Sequence, residues 1–125
     1  MITPGRSPAT ILVVDDDALI TLDTVALLGE MGHEAIEAYS GREALDILSK
    51  RDGINLMITD YSMPDMTGLQ LVAAARQTHP CLRVLLATGY AELPEGEDVD
   101  LPRLEKPYRE DDLARQINEL LTAAG

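Results

Sequence analysis

Ile11-Leu12-Val13-Val14-Asp15-Asp16-Asp17 runs four apolar residues straight into three acids. A short run that is apolar at every position cannot have one face in water, so it suits a central strand of a parallel sheet covered on both sides. Two runs of the same kind follow. Leu56-Met57-Ile58-Thr59 ends at Asp60, and Val84-Leu85-Leu86-Ala87 ends at Thr88. Helix-length segments lie between them. The first is expected over about residues 17–31, with Leu19, Leu22, Val25, Ala26 and Leu28 as its buried stripe and Gly32 as its stop. The second opens with Ser40-x-x-Glu43, a capping-box pattern, and carries Leu45, Ile47 and Leu48 before Gly53. Thr67-x-x-Gln70 opens a third in the same way, ending at Pro80. The last, about 110–122, has Glu110, Asp111 and Asp112 in its first turn and Leu113, Ile117, Leu120 and Leu121 on one face.

Two weaker strands complete the set. Glu34-Ala35-Ile36-Glu37-Ala38 mixes charge with apolar residues, and Leu101-Pro102-Arg103-Leu104 contains a proline. Charge and proline belong at the edges of a sheet. The stretch from 91 to 100, AELPEGEDVD, holds Pro94, Gly96 and five acids with no apolar stripe, so the helix due there is expected to be short, distorted or absent. Alternating strands and helices imply an α/β fold, a doubly wound five-stranded parallel sheet with helices on both faces. Right-handed crossovers with the second and fifth strands at the edges favour the order 2-1-3-4-5. Ligands of such sheets bind beyond the carboxyl ends of the strands, where the first and third diverge. Asp15, Asp16 and Asp60 fall there.

Composition narrows the function. A chain of 125 residues is one ordinary domain, and 46% apolar content builds a core. We expect a flexible leader over residues 1–9, a domain over 10–122 and a tail at 123–125. Ten basic against 22 acidic residues give a net charge of −12, which repels phosphate backbones and anionic lipid, so neither nucleic acid nor membrane is an expected partner. Cys81 stands alone, so no internal disulfide forms. No apolar run approaches the ~18–20 residues of a membrane span, and a cytoplasmic location is expected. Phe and Trp are absent, and the four tyrosines (Tyr39, Tyr61, Tyr90 and Tyr108) are expected at the boundary of the core, where their hydroxyls find partners.

Two carboxylates ~4 Å apart repel by ~4 kcal/mol at an effective dielectric near 20. Three aspartates at neighbouring strand ends therefore need a cation, a proton or distance between them. Hard oxygens without Cys or His beside them suit Mg²⁺. Taken alone, Asp15-Asp16-Asp17 reads more simply as a helix cap. Lys106, in Glu105-Lys106-Pro107 after the fifth strand, adds a point charge at the same edge. Thr88 adds a hydroxyl there. Singly, each is an ordinary surface lysine or strand-end threonine.

In this order, Asp15-Asp16, Asp60, Thr88 and Lys106-Pro107 resemble the receiver domains of bacterial two-component response regulators. Val13-Val14-Asp15-Asp16, Asp60-Tyr61-Ser62-Met63-Pro64 with Gly68, and Ala87-Thr88-Gly89 support the likeness, which covers about residues 10–122. The resemblance implies a CheY/flavodoxin-like fold. It implies Asp60 as phosphoacceptor for a histidine kinase or histidine phosphotransfer protein, with a protein target downstream. Asp15 and Asp16 would hold Mg²⁺ together with Asp60 and the Ser62 carbonyl. Lys106 would pair with Asp60 and then with the phosphoryl oxygens, and Thr88 would move toward the phosphoryl group. Gly89 would leave room for the donor, Pro64 and Gly68 would shape the loop into the third helix, and the Lys106-Pro107 bond would be cis. Such a protein is no enzyme beyond its own phosphorylation and slow dephosphorylation.

The sequence departs from the family in places. Receivers usually carry Phe or Tyr three residues before the lysine, where this chain has Arg103. Tyr90, in Ala87-Thr88-Gly89-Tyr90, is the candidate replacement, as in a single-domain subgroup with this ATGY-type run. It reads equally well as a plain loop tyrosine. The acidic 91–100 stretch lacks the basic partners of the usual receiver dimer, so a monomer is expected, with that segment open to ordering by phosphorylation or a partner. The chain's end at Gly125 fits either a single-domain regulator or the receiver of a hybrid kinase. His33 and His79 are expected on the surface, away from the site. Two other readings stay open: a pseudo-receiver that binds without phosphorylation, and an aspartyl-phosphate phosphatase with Asp15 as nucleophile. The latter leaves Asp60 and Lys106 without a task.

Overall fold

The computed structural model describes residues 9–89 and 101–122. The leader up to residue 8, Tyr90, the acidic 91–100 stretch with its expected short helix, and the tail lie outside them. The elements are β1 (Thr10–Val14), α1 (Ala18–Glu30), β2 (Glu34–Ala38), α2 (Gly41–Lys50), β3 (Leu56–Asp60), α3 (Gly68–Thr78), β4 (Arg83–Thr88), β5 (Arg103–Glu105) and α4 (Glu110–Thr122). The five strands form one parallel sheet in the order β2-β1-β3-β4-β5.

Apolar continuity explains the middle of that sheet. Ile11 to Val14 of β1, all of β3 and Val84 to Thr88 of β4 are buried. Alternate residues serve opposite layers: Leu12, Val14, Met57 and Val84 join Ala44, Leu48, Leu71 and Ala75 of α2 and α3. Ile11, Val13, Ile58 and Leu85 meet Leu28 of α1 and Leu113 and Ile117 of α4. Each such Leu or Ile contributes roughly 1.5–3 kcal/mol by leaving water.

Helix ends follow the sequence closely. Ser40 caps α2 by accepting from the Glu43 N–H at 3.0 Å, while the Glu43 carboxylate accepts from Tyr39 rather than from the cap residue. Thr67 and Gln70 form the full reciprocal box on α3. Tyr39, Tyr61 and Tyr108 are half-buried at the edge of the core.

Four expectations are corrected. The buried face of α1 carries Thr21, Thr24 and Leu28, whereas Leu19 and Leu22 stand 79% and 50% exposed. The two threonine hydroxyls find partners inside, and of the expected stripe Leu28 stays in the core while Leu19 and Leu22 face out. β5 starts at Arg103, one residue after Pro102, because proline has no N–H to give; its carbonyl still accepts from Leu86 N at 3.0 Å. Ala9 is 5% exposed and its carbonyl accepts from Glu34 N, so this last residue of the expected leader belongs to the packed domain. His33 is half-buried, with Nδ1 accepting from the Ala9 N–H at 3.0 Å, and His79 is half-buried as well.

Candidate functional site

Strand register gathers the site. Val14 pairs with Thr59, and Asp60 pairs with Ala87, so Asp15 and Asp60 emerge level at adjacent strand ends. Thr88 pairs with Glu105, which places Lys106 one step beyond that edge. The Lys106 N–H donates to the Thr88 carbonyl at 2.8 Å, and the Asp15 N–H donates to Ala38 at 3.1 Å. Main-chain bonds thus hold both walls before any side chain acts.

The three aspartates divide the work. Asp17 is the N-cap of α1, accepting from Leu19 N at 3.0 Å and from Ile20 N at 3.4 Å. Asp15 is buried; Oδ1 accepts from Asp17 N at 2.9 Å and Oδ2 from Lys106 Nζ at 3.0 Å. Asp16 points to solvent. The cap reading therefore holds for Asp17, while Asp15 and Asp16 keep carboxylate oxygens near Asp60 at the end of β3. One carboxylate oxygen each from Asp15, Asp16 and Asp60 lies within 4.8 Å of the others.

Lys106 reaches into this group and bridges it. Its Nζ lies 2.8 Å from Asp60 Oδ1 as well as 3.0 Å from Asp15 Oδ2, with side chains 18%, 5% and 5% exposed in the order Lys106, Asp15, Asp60. Burial works to lower the lysine pKa, but the hydrogen bonds to Asp60 and then Asp15, with their charges, outweigh it. The ammonium is held well above the ordinary lysine range. One cation among three carboxylates leaves the pocket strongly negative. Hard oxygen donors at this spacing and charge suit a small divalent cation.

The loop from β3 to α3 closes one side. Gly68 is buried, and its N–H donates to the Tyr61 carbonyl at 2.7 Å. Asp65 accepts from Gly41 N at 3.3 Å and Arg42 N at 3.0 Å, tying the loop to the start of α2. Ser62 and Pro64 lie exposed in that loop. Thr88 is 7% exposed at the end of β4, and Gly89 follows it. The Lys106–Pro107 peptide is cis.

A model of the response regulator receiver domain matches residues 11–118. The chain belongs to that family. Receiver protein CpdR of Brucella abortus (strain 2308) is 31% identical over 118 residues, covering 91% of this chain and 98% of CpdR. Sensor kinase CckA of the same organism is 34% identical over 120 residues, 90% of this chain. This receiver spans only 12% of that kinase's length. Among solved structures, a receiver domain protein from Clostridium thermocellum superposes with a TM-score of 0.82 at 30% identity, covering 93% of this chain and 96% of that one. The receiver domain of hybrid histidine kinase CckA gives 0.77 at 29%, covering 90% and 99%.

Asp15, Asp16, Asp60, Thr88 and Lys106 all stand at the strand-end pocket of this receiver. Tyr90 lies outside the described residues. The sequence reading missed the second arm of Lys106, to Asp15, which joins positions 91 apart. It also missed Asp65, signalled only as an acid in a loop, and the buried threonines of α1. Two threonines three apart in a leucine-rich helix were the available sign.

Proposed function

We propose that this receiver takes a phosphoryl group onto Asp60 from the phosphohistidine of a histidine kinase or histidine phosphotransfer protein and passes the change to a protein target. The observation that supports this most is the setting of Asp60, a carboxylate 5% exposed whose Oδ1 lies 2.8 Å from the Lys106 ammonium. An oxygen of Asp60 attacks phosphorus as the P–N bond breaks. The bonding pair stays on the partner's imidazole nitrogen, which takes a proton from solvent, and Asp60 carries an acyl phosphate. Lys106 follows the negative charge onto a phosphoryl oxygen, and the Thr88 hydroxyl donates to another. No substrate other than the phosphodonor is turned over, so catalysis is confined to the receiver's own phosphorylation and its slow reversal by water.

Asp15, Asp16 and Asp60, with the Ser62 carbonyl, are the groups that would hold Mg²⁺. When bound, the ion offsets repulsion between the carboxylate and the incoming phosphoryl group. Tyr90 takes the switching part that Arg103 cannot, as in the ATGY-type receivers. Leu19 and Leu22, exposed on α1 directly after the aspartates, border a shallow apolar dip with Ile20, Asp23 and Ala26. A protein delivering phosphohistidine to Asp60 would cover that face. The receiver acts in the cytoplasm as a monomer.

Intact-protein mass after incubation with a small phosphodonor and Mg²⁺ tests this reading. One added phosphoryl group, lost on chelation and in Asp60→Asn, is the expected result. No adduct on wild-type protein sinks it in favour of a receiver that binds partners without phosphorylation.

A further inference from the structure

Thr24 and Tyr108 take no part in the chemistry above, yet they join the two walls of the pocket. Thr24 Oγ1 and the Tyr108 hydroxyl lie 2.6 Å apart, across 84 positions of sequence. Thr24 is 1% exposed, on the buried face of α1, and Tyr108 packs against the apolar layer on that side of the sheet. Burying the Thr24 hydroxyl is unfavourable unless it finds a partner, and the half-buried Tyr108 hydroxyl is that partner, where an apolar pair would fill the same space without the constraint. Thr21, one turn earlier, turns its hydroxyl back to the Asp15 and Asp17 carbonyls at 2.9 and 3.0 Å. Thr24 instead reaches off its helix.

What it reaches is the turn that carries Lys106. That turn leaves β5 at Glu105 and enters α4 at Glu110. Its near end is fixed by the Lys106 N–H on Thr88, and Tyr108 fixes it two residues later against α1. α1 is also the helix that begins at the aspartates. The lysine side chain is long and has many rotamers, so seating its head between two carboxylates depends on where its backbone is held.

We propose that the Thr24–Tyr108 hydrogen bond is a positioning device for Lys106, pinning the 106–108 turn to α1 so that the ammonium stays seated between Asp15 and Asp60. Its consequence for phosphoryl uptake rests on the function proposed above; the seating of Lys106 does not.

The test uses the two lysines of the chain, Lys50 and Lys106. Lys50, with its side chain 73% exposed, is the internal standard. Metal-free protein is treated briefly with an amine-acetylating reagent, and labelling at each lysine is followed by peptide mass spectrometry. Tyr108→Phe keeps the ring and removes the bond. The Lys106-to-Lys50 labelling ratio should rise about fivefold, the factor that one ordinary hydrogen bond is worth. Thr24→Val should do the same, and the double variant no more than either. An unchanged ratio in Tyr108→Phe, with the far-ultraviolet spectrum retained, overturns the proposal even where Thr24→Val fails to fold. Additive effects in the double variant overturn it too. In a parallel arm, Tyr108→Phe should slow uptake from a small phosphodonor in wild type and have no effect in a Lys106→Ala background. Absence of uptake by wild type would remove the proposed function, while the labelling ratio would still judge the pin.

Discussion

A Cβ placed on Gly68 would stand 2.5 Å from the carbonyl oxygen of Asp60 and 2.9 Å from Leu86 Cδ1. The start of α3 therefore rests directly on the backbone of the central aspartate. Room, not an unusual backbone angle, is what requires glycine there. Gly68→Ala should force the two apart, lowering stability by about 1–3 kcal/mol as overpacking does. Because the displaced atom belongs to Asp60, phosphoryl uptake should fall as well. Urea titration and a single uptake time course check both, and a neutral result on both would mean that the loop gives way freely.

Asp16 is the exposed member of the carboxylate trio and takes no part in the Lys106 bridge. Without metal, Asp16→Asn should leave stability within about 0.5 kcal/mol of wild type. Mg²⁺ should raise the wild-type melting temperature, by an amount equivalent to about 2.7 kcal/mol at a hundred times its dissociation constant. The variant should gain much less, and EDTA should erase the difference. Equal gains in the two proteins would take Asp16 out of the metal site.

Asp65 is held below the ordinary carboxyl range, chiefly by the Arg42 N–H and also by that of Gly41. A lowered folded-state pKa means that the folded form binds its proton less readily than the unfolded chain. The resulting stability is fully present above the unfolded value near 3.8 and drains away as pH falls through the lower folded value. Asp65→Ala should therefore weaken the fold at neutral pH, and the gap from wild type should close below about pH 4. Urea midpoints from pH 7 down to pH 3 follow the gap; a constant difference would assign the effect to something other than the charge.

Leu19 and Leu22 face water, so Leu19→Ser with Leu22→Ser should cost little stability, within about 0.5 kcal/mol per site. Uptake from a small phosphodonor should be unchanged, while transfer from a phosphorylated partner protein should slow at least tenfold. Slowing of both reactions alike would place the effect in the pocket instead of on the α1 surface.

The sheet was legible because β1, β3 and β4 are buried on both faces, which their unbroken apolar runs announce. Asp15, Asp60 and Thr88 could be placed together for the same reason: where such a run stops, the strand end and the ligand edge coincide. Two features resisted. In α1, apolar residues occur on every side (Leu19, Ile20, Leu22, Val25, Ala26, Leu27 and Leu28), so spacing alone does not choose the buried face. The buried face is instead marked by Thr21, bonded back to the Asp15 and Asp17 carbonyls, and by Thr24, bonded to Tyr108 84 positions away. The three-residue β5 is too short to show any periodicity, and its position is set by pairing with β4 and by Pro102 having no N–H to offer. The Lys106–Asp15 pair likewise exists only through register.

The sheet ends in strands that refuse company. β2 carries Glu34 and Glu37, both exposed, on one border, and β5 offers three residues preceded by a proline on the other. Neither border presents the long, flat, apolar template on which a second chain adds a strand. Crowded at high concentration, copies of this protein should not join edge to edge through either of these two strands.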